Sequence, residues 1–125
     1  MVERDTADGV RPAGAEGKAA RVGPPAGAGV SWGAELGGRA TLVQFSTAFC
    51  QPCRATRRIL ADVAAMVPGV AHLEIDAEDR LDLVRALSID STPTVLVLDA
   101  GGGLVRRATG QPRKDQVIAA LGEAV

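Results

Sequence analysis

Cys50 and Cys53 are the chain's only cysteines, separated by Gln51 and Pro52. A Cys-x-x-Cys pair can do redox chemistry, bind metal or simply be buried as two small apolar side chains. A structural zinc site requires four ligands. Besides the cysteines the chain offers one histidine, His72, and ordinary carboxylates, so no metal is expected. Redox chemistry needs a thiolate, which forms most readily at a helix N-terminus, where unpaired N–H groups and the helix dipole favour negative charge. An inert pair would have no reason to sit there. The question is therefore which elements flank the pair.

Thr41–Ser46 is short, β-rich and largely apolar, and reads as a buried strand. The stretch from the cysteines to about Met66 places Ile59, Leu60, Val63 and Val67 at helical spacing. Cys50 thus falls at the first turn of a helix after a buried strand. Pro52 suits that turn, having a fixed φ and no N–H to leave unpaired. Cys53, one turn on, can reach the Cys50 sulfur and resolve a mixed disulfide formed there. Pro68-Gly69 stops the helix.

The remaining pattern predicts a strand over Val70–Ile75, a helix over Asp79–Leu87 with Leu81, Val84 and Leu87 inward, and an apolar, central strand over Thr94–Leu98. Gly101–Gly103 turns the chain into an antiparallel partner, Leu104–Thr109. That glycine run lacks the Lys-Ser/Thr and helix of a phosphate loop. A last helix spans Arg113–Leu121, with Val117, Ile118 and Leu121 on one face. Ser31–Leu36 reads as one or two helical turns capped by Ser31. The order β-α-β-α-β-β-α makes an α/β fold whose mixed sheet is covered by helices.

At 125 residues the chain holds one domain. Its core must be aliphatic, because the only aromatic residues are Trp32, Phe45 and Phe49. Residues 1–30, rich in Gly, Ala and Pro, read as a flexible tail with a short strand at Ala19–Val22 as its one candidate element. The folded domain is expected over 31–125. A net charge of −1 with dispersed basic residues argues against nucleic-acid or anionic-membrane binding. No run approaches the roughly 18–20 apolar residues of a membrane span. Glu3, Asp5 and Asp8 oppose a signal peptide. A cytosolic protein is expected.

Phe45-Ser46-Thr47-Ala48-Phe49-Cys50-Gln51-Pro52-Cys53-Arg54, followed by Ser91-Thr92-Pro93-Thr94 and then Gly110, resembles the thioredoxin family over about Ala40–Ala124. The resemblance implies a thioredoxin-like fold with a sheet of four to five strands. It implies that Cys50 is the exposed nucleophile and Cys53 the buried resolving thiol. It further implies a cis Pro93 facing the disulfide, with Thr92 offering backbone hydrogen bonds to substrate. Phe49, Gln51, Pro52 and Gly110 would complete the substrate surface. The activity would be reduction of protein disulfides by a monomer, with no bound cofactor beyond the Cys50–Cys53 couple. Electrons would come from a thioredoxin reductase.

The sequence also departs from the family. Ser46 stands where a tryptophan is usual, and Gln44 where relatives carry a buried aspartate that deprotonates the resolving thiol. Gln44 can hydrogen-bond but cannot take a proton at neutral pH. A reductase dedicated to one client therefore stands beside a general thioredoxin, and a redox-inactive scaffold is the reading from another class. His72 and Glu74 share one face of their strand. His72 is the candidate substitute base, against the plainer reading of a half-exposed strand histidine. Arg54 adjoins the motif and could favour a thiolate, whereas Arg57 and Arg58 read as a solvated helix face.

Overall fold

The computed structural model describes residues 31–125. The tail and the strand expected at Ala19–Val22 lie outside the described residues. Strand β1 (Ala40–Ser46) leads into helix α1 (Gln51–Met66), and β2 (Val70–Asp76) follows. A 3₁₀ turn (Ala77–Asp79) and short helix α2 (Leu81–Ala86) come next. Strands β3 (Thr94–Asp99) and β4 (Leu104–Thr109) form a hairpin, and α3 (Lys114–Ala124) ends the chain.

The described sheet runs β2-β1-β3-β4. Parallel pairing joins β1 to β2, as a strand–helix–strand crossover dictates. Pairing is antiparallel between β1 and β3 and between β3 and β4. Both inner strands are covered on both faces, which is why they read as almost unbroken apolar runs. Alternation along the strands splits the core into two layers. Leu42, Val95 and Val97 meet Leu60 and Val63 of α1 and Val117 and Leu121 of α3. Val43, Phe45, Leu96 and Leu98 meet Trp32, Leu83, Leu87 and Ile89. This leaves α1 clamped against β1, so the cysteines at its start sit at a fixed height above the sheet.

Three sequence expectations change. Ser31–Leu36 is not helical: Gly33 turns through φ +79°, and Trp32 enters the core instead. The helix expected over Asp79–Leu87 is broken at Arg80, whose φ −134° and ψ 59° are not helical. Arg80 holds that break by donating to the Ser31 carbonyl (2.7 Å) and to Asp82 (2.9 Å). With the helix restarting at Leu81, the buried side passes to Leu83 and Leu87, and Leu81 is half exposed. In α3 the four-residue spacing of Val117 and Leu121 sets the buried stripe, and Ile118 turns outward.

Candidate active site at the start of helix α1

Cys50 is the N-cap of α1, with Pro52 in the first turn. Its Sγ accepts the Cys53 backbone N–H at 3.2 Å, satisfying one of the helix's unpaired donors with a sulfur. The two sulfurs are joined as a disulfide. Burial separates their roles: Cys53 is 1% exposed, whereas Cys50 is only partly covered. Thr56 Oγ1 donates to the Pro52 carbonyl (2.7 Å), tying the motif's own backbone into the helix.

The sequence-derived residues lie in three segments: the motif itself, the Thr92–Pro93 loop, and Gly110 after β4, the last two joined by a backbone hydrogen bond. Phe49 precedes Cys50 in a left-handed conformation (φ 62°) and is almost fully exposed. That is a costly position for a large side chain, of the sort that collects at functional sites. Gln51 and Pro52 are exposed beside it. The Thr92–Pro93 bond is cis, and Pro93 is buried ahead of β3. Gly110, at φ 84°, donates its N–H to the Pro93 carbonyl (2.8 Å), a backbone geometry that favours glycine.

Thr47 is a contributor the sequence did not single out. Its hydroxyl meets that of Thr92 at 3.0 Å, fastening the end of β1 to the proline loop. Only the fold brings residues 45 positions apart together, so no local signal marked it. Thr47 and Thr92 also line a cleft of about 290 Å³ with Val84, Ile89, Asp90 and Ser91.

Gln44 lies in the interior, fully buried. Its Nε2 donates to the Cys53 carbonyl (2.7 Å) and to Ser46 Oγ (2.9 Å), while its Oε1 is buried without a partner. The strand register sets Gln44 level with Glu74 and places His72 opposite Leu42, two residues further down. Arg57 and Glu74 form a bidentate pair at 2.6 and 2.7 Å. That pair holds the Glu74 carboxyl below its usual range, with burial opposing. His72 joins no hydrogen bond to Gln44 or to either cysteine, and its Nε2 is buried and unpaired. Burial pushes its pKa down, Glu74 pulls it up, and Arg57 lowers it further. Arg54 and Arg58 are exposed on α1. Among the described residues no cluster of His, Cys, Asp or Glu could hold a metal ion.

The chain is similar in sequence and fold to known proteins. The thioredoxin family model matches residues 31–123. Thioredoxin H4-1 of rice (Oryza sativa subsp. japonica) is 29% identical over 89 residues, covering 70% of this chain and 67% of the relative. A thioredoxin from Chlamydia trachomatis serovar D is 32% identical over 77 residues, or 62% of this chain and 74% of its own. Among solved structures, spinach chloroplast thioredoxin f (short form) superposes with a TM-score of 0.61 at 25% identity. That superposition covers 70% of this chain and 78% of the spinach chain.

Proposed function

The chain belongs to the thioredoxin family of thiol–disulfide oxidoreductases, and we propose that it reduces protein disulfides by dithiol exchange through Cys50 and Cys53. The observation that carries this is the asymmetric pair: a partly open Cys50 at a helix N-terminus and a buried Cys53 bonded to it. In the reduced protein the Cys50 thiolate attacks one sulfur of a substrate disulfide and expels the other as a thiolate. Cys53, having lost its proton, then attacks Cys50 Sγ and releases the substrate's remaining thiolate. Two electrons pass to the substrate, and the Cys50–Cys53 disulfide is left.

Phe49, Gln51, Pro52, Thr92, Pro93 and Gly110 form the surface on which a substrate strand lies, with the cleft beside Thr92 taking a neighbouring side chain. No bound cofactor enters these steps. A dithiol reductase of the thioredoxin reductase kind restores the two thiols. A reducing compartment such as the cytosol suits this direction of electron flow. Among the described residues no helix is long and apolar enough to cross a membrane. A monomer suffices, because one chain supplies both cysteines and the proline loop. Gln44 in place of a buried carboxylate favours, as a second reading, a reductase matched to one client.

Insulin reduction with dithiothreitol tests the activity, with Cys50→Ser as control. Catalysed precipitation that the control lacks is expected. Its absence would favour a redox-inactive scaffold. The potential of the couple fixes the direction: about −270 mV marks a reductase and about −120 mV an oxidant.

A further inference from the structure

A buried amide that uses both N–H donors and leaves its oxygen bare is an unusual arrangement, because the unmatched acceptor has lost its water without gaining a partner. Rotating the Gln44 amide would not relieve it. The Cys53 carbonyl, 2.7 Å from Nε2, can only accept, so the nitrogen must face it. The second N–H is committed in the same way. An amide nitrogen can only donate, so Ser46 Oγ, 2.9 Å from Nε2, accepts the second N–H. These two bonds fix the orientation of the amide and pin Oε1 as a free acceptor.

In the disulfide state neither sulfur carries a proton. Reduction by a dithiol delivers two electrons and two protons, breaks the S–S bond and creates a buried thiol at Cys53. We infer that the unpaired Gln44 Oε1 is the acceptor for this Cys53 S–H, held ready by Ser46 as a positioning residue, so that the reduced protein completes a hydrogen bond the oxidised protein lacks. The inference rests on the dithiol-exchange reading above. Its consequence is a bias of the couple towards the dithiol and a Cys53 kept protonated until exchange demands its proton.

The test uses the full chain carrying Cys50→Ser, in which Cys53 is the only thiol. Its infrared S–H stretch is expected below that of an alkanethiol in hydrocarbon, and Gln44→Leu should return it to that position. With both cysteines intact, Gln44→Leu should shift the equilibrium with dithiothreitol about three- to tenfold towards the disulfide, where tenfold is about 30 mV. A parent band already at the unbonded position would overturn the inference, and that reading needs no core variant to fold. So would a folded Gln44→Leu protein that moves neither the band nor the equilibrium. If parent insulin reduction persists in that case, the failure lies with Gln44 alone and the proposed activity stands.

Discussion

The Cys53 backbone N–H donates to Cys50 Sγ at 3.2 Å, while the Cys53 side chain itself is 1% exposed. One cysteine receives the stabilising donor and the other is shielded. After reduction, Cys50 should therefore react with iodoacetamide at neutral pH more than about tenfold faster than Cys53. Mass spectrometry of briefly alkylated protein reads the ratio. Equal labelling, or labelling of Cys53 first, would reverse the assignment of nucleophile and resolving thiol.

Trp32 gives a prediction about where the domain begins. It lies ahead of every described helix and strand, yet is only 7% exposed and packs with Phe45, Leu83 and Leu87. Trp32→Ala should cost about 3–5 kcal/mol of stability. Urea denaturation followed by circular dichroism checks it, and a loss under about 1 kcal/mol would mean the segment before β1 only rests on the domain.

What the sequence disclosed and withheld follows from the range of the interactions. The strand–cysteine–helix junction was legible because periodicity, Pro52 and the cysteine spacing are local signals. So were β3 and β4 with their glycine turn. Arg80 was not, because a non-helical φ held by a contact to Ser31 leaves no mark on nearby residues. Nor was the level of Gln44. Glu74 and His72 share a face, and only the β1–β2 register decides that Glu74 stands beside it. His72 is the sequence's candidate proton acceptor beside its plainer reading as a strand histidine, and the register sets Glu74, not His72, level with Gln44.

His72 should instead make stability depend on pH. Burial lowers its folded pKa beneath the unfolded value of about 6.5, with Glu74 partly offsetting and Arg57 reinforcing the shift. The unfolded chain then binds the proton first, so stability falls as pH drops from about 7 and flattens only below the folded pKa. Glu74, whose folded pKa is also lowered, contributes stability that is lost at more acid pH, below about 4.3. The two windows are separate. Urea midpoints at pH 7.5 and 5.5 should differ in the parent and converge in His72→Leu. A slope that survives the substitution would place its source elsewhere.

Gln44→Asp probes the departure from the family most directly. The position is fully buried and lies against the backbone of Cys53. An ionised carboxylate there repels a nearby thiolate, so the substitution should raise the Cys50 pKa, read from thiolate absorbance. Burial raises the new carboxyl's own pKa towards neutrality, where it can take the Cys53 proton. Release of substrate from the mixed disulfide should then quicken by about tenfold or more wherever that step limits turnover. A new inflection in the pH–rate profile would distinguish a base from a change in packing. His72→Ala supplies the second arm of the comparison. Because His72 lies opposite Leu42 and makes no hydrogen bond to Gln44 or Cys53, its loss should alter the rate little in either background. A large loss in the parent that disappears in the Gln44→Asp background would instead make His72 the working base. If Gln44→Asp moves neither the Cys50 titration nor the rate, a buried charge at this level does not govern exchange in this protein.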